Sequence, residues 1–228
     1  MYLDSTYLLV LIGAAISAIA SGNVNRTFQR FSSVRNGRGL TAEAVAAHIL
    51  SRAGIHDVRI DRIRGKLTDH YSPNEKVLRL SDSVYGSASI AAIGVAAHEC
   101  GHAIQHHCGY GPLKLRAASV PVANIGSKLS WPMILLGLVM GWVGLAQIGV
   151  FLFTFVVFFQ LITLPVELNA SRRAMDILER DSILVGNELT GASKVLRAAA
   201  LTYLAALFST VLQLLRLVLL TRRSSSRR

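Results

Sequence analysis

A stretch of 38 residues without a charged side chain constrains the fold more than any other feature of the sequence. It covers residues 129–166. One membrane-crossing helix needs about 20 apolar residues, so the stretch is too long for one crossing and nearly long enough for two. Residues suited to a tight turn lie near its middle: Gly141, Gly144, Gln147 and Gly149. Because only helices and closed barrels satisfy the whole backbone in lipid, we expect a transmembrane helical hairpin.

Two other apolar runs lie near the ends of the chain, at residues 7–20 and 198–220. In the first run, residues 18–20 (AIA) resemble a signal-peptide cleavage site, which would make the run a removed leader. However, Asp4 precedes the run without any Lys or Arg, whereas several arginines follow it. This order of charges favours an uncleaved anchor with its N-terminus outside. We expect the last run to cross the membrane or to lie in its interface, followed by a basic tail.

The region between the first apolar run and the uncharged stretch has the patterning of a soluble region. Apolar residues recur at helical spacing over residues 41–53, and an Ala-rich helix is expected over 87–108. Between these helices, residues 58–63 and 77–80 alternate apolar and polar side chains. We therefore expect a small sheet or hairpin, with residues 77–80 as an edge strand that could pair with a substrate backbone.

The formal net charge of +11 suggests a membrane surface as the partner of this chain. Nucleic acid is not expected as a partner, because aromatic residues are few and no nucleic-acid motif occurs. Residues 22–130 carry 14 Lys and Arg against 7 Asp and Glu, which places this region on the cytoplasmic side. Cys100 and Cys108 would lie about 12 Å apart on one helix, too far for a disulfide, so free thiols are expected.

Residues 98–102 read His-Glu-Cys-Gly-His, the HExxH pattern. Two histidines four residues apart on a helix share one face, so His98 and His102 could bind one zinc ion at about 2.0–2.1 Å. Glu99 lies close to the same face and could take a proton from water that the metal activates. The apolar run before the motif would bury these polar side chains, which is costly unless a metal or another partner compensates them. The pattern therefore predicts a catalytic zinc site.

Catalytic zinc usually has three protein ligands and one water. His106 continues the row of histidines but lies about 12 Å from His98 along a straight helix, and His107 faces elsewhere. Exposed or helix-capping side chains are the simpler interpretation for both. A histidine six residues after His102 would be typical of a metzincin, but that position holds Cys108.

Glu167 is the best candidate for the third ligand. It directly follows the uncharged stretch, and a hairpin leaves the membrane on the side where it entered, so Glu167 would return to the level of the HExxH helix. The alternative is an ion pair with Arg172 or Arg173. Glu179 and Glu188 are weaker candidates, because their surroundings are typical of solvated helix faces.

Together these motifs resemble the YugP-like family of neutral zinc metallopeptidases of bacterial membranes. The resemblance rests on HExxH, the hydrophobic hairpin and the Glu-x-Asn-Ala-Ser-Arg-Arg-Ala run at 167–174. Residues 34–40 (VRNGRGL), 69–71 (DHY) and 93–99 (IGVAAHE) extend it over nearly the whole chain. HtpX-type and CAAX-prenyl-protease gluzincins are more distantly similar.

The resemblance implies a zinc endopeptidase of the gluzincin type with one Zn²⁺ and a polypeptide substrate that is membrane-associated. Turnover of damaged membrane proteins in the bacterial inner membrane is the role it suggests, whereas the cytoplasmic side of the active site is expected from the charge count above. In the related gluzincins an aspartate four residues after the third ligand supports the histidines, but here that position is Ser171. Asn169 or Ser171 could provide this support instead. His70 and Tyr71 are candidates for stabilising the oxyanion.

The predicted fold is a mainly α integral membrane protein with about four transmembrane helices and a zincin-like α+β catalytic region. A non-catalytic zinc-binding membrane scaffold and a protease adaptor are the alternatives, and no oligomeric state follows from the sequence. The predicted segments are an N-terminal anchor (1–22), a catalytic region with the HExxH helix (23–130), a transmembrane hairpin (131–165), a third-ligand helix (166–197), a last transmembrane or interfacial helix (198–220) and a basic tail (221–228).

Overall fold

The computed structural model of the chain describes residues 6–225, with side chains as far as Arg222. Helices account for most of this range, and three short strands form a sheet. In chain order the elements are α1 (Tyr7–Ser32), α2 (Ala42–Arg52), β1 (Arg59–Ile63), β2 (His70–Ser72), β3 (Val77–Ser81), α3 (Ile90–His107), α4 (Gly111–Val139), α5 (Val143–Arg180) and α6 (Asn187–Ser225).

Four of these helices, α1, α4, α5 and α6, are long and apolar enough to cross a membrane. Many of their large apolar side chains lie on the outside of the protein; Leu11, Ile19 and Val139 are 65%, 72% and 77% exposed. Apolar surface this extensive is stable in lipid rather than in water. The chain is therefore a mainly α membrane protein with a small sheet, and the predicted fold class is confirmed.

The long helices continue past the limits suggested by the sequence. α4 begins at Gly111, well before the uncharged stretch, and α5 runs without a break through Glu167 to Arg180. Charge patterning marks where a helix can leave lipid, whereas hydrogen bonding decides where it ends, so the two need not coincide. Gly141 has a φ of +69° in the turn between α4 and α5, a conformation that favours glycine. The division into six segments remains a prediction, and its last residues, 226–228, lie outside the described part.

The described residues form two compact units. The apolar unit comprises residues 6–21, 114–164 and 201–225, and the sheet unit comprises residues 22–113 and 165–200. In the apolar unit, a small core gathers around Ile134, Phe153 and Leu217. The Ser209 hydroxyl of α6 donates to the Gly13 carbonyl of α1 at 2.7 Å, which satisfies a polar group within an apolar helix.

The sheet unit contains all three strands, in the order β1-β3-β2. β1 runs parallel to β3, and β2 runs antiparallel to it. The expectation that residues 77–80 form an edge strand is wrong, since β3 is paired on both sides and cannot accept a substrate strand. β1 and β2 are the edges. The parallel pairing joins strands that are not consecutive in the chain, and the three-residue β2 is too short to give a periodic sequence signal.

The core of the sheet unit lies between α2, α3 and β3 and includes the ends of α5 and α6 that belong to this unit. The first two turns of α3 are almost entirely buried, which explains their run of small and aliphatic residues.

Cys100 is buried, and burial raises the pKa of its thiol, whereas Cys108 is exposed. Both cysteines are free, as predicted.

Candidate metal centre

The start of α3 is held in place by its N-cap and by the loop before α2. Ser89 is the N-cap, and its hydroxyl accepts a hydrogen bond from the Ala92 amide at 3.2 Å. The buried Asn36 amide donates to the carbonyls of Ala88 and Leu40 at 2.6 and 2.8 Å. This loop (residues 34–40, VRNGRGL) therefore fixes the point at which the HExxH helix begins.

Two histidines of α3 and one glutamate of α5 converge at one point of the sheet unit. The Glu167 Oε2 atom lies 3.3 Å from His98 Nε2 and 3.4 Å from His102 Nε2. The ligand atoms of the three side chains all lie within 4.8 Å of one another. Glu167 is 3% exposed, and the imidazole rings are nearly perpendicular at a centroid distance of 4.8 Å. The structure thus brings together the three residues that the sequence suggested as ligands.

Close packing of α3 against α5 makes this convergence possible. A Cβ atom built on Gly101 would lie 2.5 Å from the Ala170 carbonyl oxygen and 3.1 Å from its Cα, so only glycine fits there. Ala170 and Ala174, which lie on α5, are wholly buried. The absence of a side chain between His98 and His102 therefore lets the backbone carrying Glu167 approach the histidines.

The donor set fits a zinc ion. With N and O ligands at about 2.0–2.1 Å, neighbouring ligand atoms of a tetrahedral ion are about 3.4 Å apart. The two distances from Glu167 to the imidazoles agree with this value. Two imidazoles and one carboxylate are also the ligands of catalytic zinc sites that leave a fourth position open. His98, His102 and Glu167 are the residues that would hold the metal.

The second nitrogen of each imidazole has a hydrogen-bond partner. His98 Nδ1 lies 3.0 Å from the Ser171 hydroxyl, and His102 Nδ1 lies 3.0 Å from Gln105 Oε1. Such partners fix the ring orientation of metal-binding histidines. Burial disfavours the charged form of His102, but hydrogen bonding to Glu167 and the nearby carboxylate charges outweigh it and raise its pKa. The site thus concentrates negative charge that favours a cation.

Glu99 lies beside this cluster and is 8% exposed. Within residues 6–225, its carboxylate forms no hydrogen bond or ion pair. Neither of its oxygens is among the fully buried polar atoms that lack a partner in this range, so water can still reach the carboxylate. Glu99 follows His98 in the chain but does not belong to the group of side chains that could hold a metal ion.

His70 and Tyr71, which the sequence suggested for the oxyanion, point to different partners. His70 Nδ1 lies 2.9 Å from the Thr68 carbonyl, and its Nε2 lies 3.4 Å from Arg79 Nη1. The Tyr71 hydroxyl lies 2.9 Å from Nδ1 of His106, which is one helical turn beyond His102 on α3. His106 and His107 are exposed, and within the described residues neither belongs to the group that could hold a metal ion.

Glu179 and Glu188, the weaker candidates for the third ligand, do not belong to this cluster within the described residues. Glu188 Oε1 accepts a hydrogen bond from the Gly37 amide at 2.7 Å, and Glu179 is exposed. Arg173, considered as an ion-pair partner of Glu167, donates instead to Asn169 Oδ1 at 2.8 Å. Sequence reasoning missed Gln105 as the hydrogen-bond partner of His102. Its only signal was a glutamine three residues after His102, a spacing that places both side chains on one helix face.

Comparison with known proteins decides the family. A family model described as "putative neutral zinc metallopeptidase" matches residues 6–222. The chain belongs to this zinc metallopeptidase family. Its resemblance to the YugP-like proteins is therefore confirmed, and the family implies zinc as the metal for the cluster formed by His98, His102 and Glu167.

The chain is also similar to a protein of Bacillus subtilis (strain 168). It is named "Putative membrane protease YugP" and is 44% identical over 212 residues, which cover 93% of this chain and 94% of the relative. The alignment thus spans both the apolar unit and the sheet unit. No solved structure matches the chain.

Proposed function

We propose that the protein is a membrane-embedded, zinc-dependent endopeptidase of the gluzincin type. The observation that carries the proposal is the convergence of two imidazoles and the Glu167 carboxylate at 3.3 and 3.4 Å, with the buried Glu99 beside them. An open three-ligand set favours catalysis over a structural zinc site, which usually has four protein ligands. Membership of a zinc metallopeptidase family and the similarity to a protein named as a membrane protease support the same conclusion.

We infer the mechanism from the positions of these side chains. Zinc, when bound, polarises the scissile carbonyl and makes water more acidic. Glu99 accepts the proton of the attacking water and later delivers it to the leaving amine, which is general base and then general acid catalysis. Ser171 and Gln105 keep the two imidazoles in the orientation that binding requires. Their support takes the place of the aspartate found in the more distant gluzincins.

We further propose that the substrates are membrane-associated polypeptides and that the site faces the cytoplasm from a bacterial inner membrane. The excess of 14 basic over 7 acidic residues in positions 22–130 supports this orientation, because basic loops remain on the cytoplasmic side. Four apolar helices support residence in the bilayer. A role in membrane-protein quality control agrees with this location and rests on the family resemblance.

Removal of the metal tests the proposed function directly. Full-length protein purified in detergent is expected to contain one zinc per chain and to cleave casein. A chelator should abolish cleavage, and one equivalent of zinc should restore it. Zinc at 100 times its dissociation constant should also stabilise the folded protein by about 2.7 kcal/mol, visible as a higher melting temperature.

Variants of the ligands separate catalysis from the two alternatives. Glu167→Ala and His102→Ala are expected to lose both zinc and cleavage. In the wild-type protein, bound zinc without cleavage of any unfolded protein would favour a scaffold, and the absence of both zinc and cleavage would favour an adaptor. Either result contradicts the endopeptidase proposal.

Of the two oxyanion candidates we propose Tyr71, because its hydroxyl contacts His106 on the helix that carries the HExxH motif, whereas His70 contacts only Thr68 and Arg79. Tyr71→Phe removes only the hydroxyl. It is expected to lower kcat on casein by about 100-fold, the typical effect of losing one oxyanion donor, with zinc content unchanged. Tyr85→Phe, a change at an exposed tyrosine, is the matched control. Unchanged kcat in Tyr71→Phe would exclude the hydroxyl from catalysis.

A further inference from the structure

Gln105 is a wholly buried polar residue that connects α3 to α5. Gln105 is 0% exposed and, with Glu99 and His102, is one of three buried polar residues on a helix whose other buried residues are apolar or glycine. Its Oε1 atom lies 3.0 Å from His102 Nδ1. Its Nε2 atom donates to the Val166 carbonyl at 2.8 Å and to Asn169 Oδ1 at 3.0 Å. These three contacts hold the side-chain amide in one position.

The partners of Gln105 determine which way its amide faces. A backbone carbonyl can only accept a hydrogen bond, so the NH₂ group must point to Val166. Asn169 Oδ1 also accepts from Arg173 Nε at 2.8 Å, and a guanidinium can only donate, so the Asn169 amide is oriented as well. Gln105 can therefore present only its oxygen to His102.

This orientation dictates the state of the His102 ring. Because Gln105 Oε1 can only accept, His102 Nδ1 must carry the hydrogen in this bond. In the neutral ring, the lone pair then lies on Nε2, which is the atom 3.4 Å from Glu167 Oε2. Two acceptor atoms facing each other at this distance require a cation between them or a proton on one of them. The network thus prepares His102 Nε2 for a metal.

The same argument does not hold for His98. Its partner, the Ser171 hydroxyl, can rotate and either donate or accept, so that contact alone does not select one tautomer. The network around Gln105 also ends on a cation, Arg173, whose guanidinium lies 5.9 Å from the centroid of the Tyr110 ring. The two histidines therefore differ in how strongly their surroundings orient them.

We propose that Gln105, itself held by Val166 and by the Asn169–Arg173 pair, is a positioning residue that fixes His102 as a metal ligand. This inference rests on the proposed function, because it assumes that the cluster binds zinc. The network acts between the two helices that supply the ligands, so it sets both the tautomer of His102 and its position relative to Glu167. We name the chain of contacts from Arg173 through Asn169 and Gln105 to His102 the amide relay.

Zinc affinity of the full-length protein in detergent, measured by competition with a chromophoric chelator, tests the amide relay. Gln105→Met keeps the approximate volume and removes every hydrogen bond. It is expected to weaken zinc binding by about 10- to 100-fold, the usual effect of losing a partner of a metal-binding histidine. Gln29→Met makes the same change at an exposed glutamine of α1 and is expected to leave the affinity unchanged.

A second pair of variants tests the relay without altering Gln105. Asn169 contributes to it only as an acceptor, through Oδ1. Asn169→Asp retains an acceptor for both donors and should keep the wild-type zinc affinity, whereas Asn169→Leu should weaken it by about 10-fold. This difference between a conservative and a disruptive change is not expected from a role in packing alone. It also provides the test if Gln105→Met does not fold.

The outcomes distinguish the relay from the proposed function. Wild-type zinc affinity in Gln105→Met, or equal affinities in the two Asn169 variants, overturns the relay while the zinc site stands. A lower melting temperature of the metal-free Gln105→Met protein with unchanged zinc affinity also overturns it, since the role would then be structural. If the wild-type chain does not bind zinc, or binds it equally well after His98→Ala, the proposed function itself fails and the relay fails with it.

Discussion

Glu99→Gln is expected to keep its zinc and to lose at least 100-fold in kcat on casein. Glutamine has nearly the same shape as glutamate but cannot take up the proton of the attacking water, and positioned general bases contribute about 10²- to 10⁴-fold. Zinc should remain because Glu99 is not one of the proposed ligands, which are His98, His102 and Glu167. Metal analysis and initial rates on the same preparation measure both quantities.

The control for this variant is a second glutamate of the same protein. Glu179→Gln changes an exposed carboxylate on α5 and should leave both zinc content and rate unchanged. Full activity in Glu99→Gln would remove Glu99 from the mechanism, and loss of zinc in the same variant would make it a ligand instead. Since the Glu99 carboxylate has no hydrogen-bond or ion-pair partner in the described range, its replacement by a neutral amide is not expected to destabilise the fold.

The parts of the site that the sequence revealed depend on local periodicity. His98 and His102 share a helix face because they are four residues apart, and this holds in any helix that contains them. Glu167 could be identified from the sequence for a different reason. It lies directly after an uncharged stretch whose length fits two membrane crossings. Both inferences use spacing along the chain, and neither needs knowledge of how distant segments pack.

The parts that the sequence did not reveal depend on contacts between distant segments. Gln105 acts through Val166 and Asn169, which are 61 and 64 residues away in the chain, so its hydrogen bonds follow only from the packing of α3 on α5. The central position of β3 likewise results from its parallel pairing with β1. An alternating sequence identifies a strand but does not specify its neighbours, which is why residues 77–80 were wrongly expected at an edge.

Gly101 illustrates the same limit inside the HExxH motif. The pattern HExxH places no restriction on its two x positions, yet one of them, Gly101, faces the backbone of α5. The neighbouring Gly94 of α3 is different, because a Cβ built there would lie 3.5 Å from Ala192 Cβ, an ordinary contact. The two glycines therefore provide a matched pair on one helix, in which only Gly101 is required for close approach.

Gly101→Ala is expected to destabilise the protein by about 1–3 kcal/mol, the usual range for overpacking a core. The new methyl group would lie 2.5 Å from the Ala170 carbonyl oxygen, a backbone atom that can yield only if α5 moves away from α3. That movement would separate Glu167 from both histidines, so zinc affinity should fall together with stability. Denaturant unfolding of the metal-free protein and chelator competition measure the two effects.

Gly94→Ala should behave in the opposite way. Alanine favours a helix interior over glycine by about 1 kcal/mol, and the space at this position admits a methyl group, so stability should be unchanged or higher and zinc affinity unchanged. Equal behaviour of the two variants would contradict the packing argument. If Gly101→Ala alone loses both stability and zinc, the distance between the backbones of α3 and α5 is what brings the carboxylate of Glu167 within reach of the metal that the imidazoles hold.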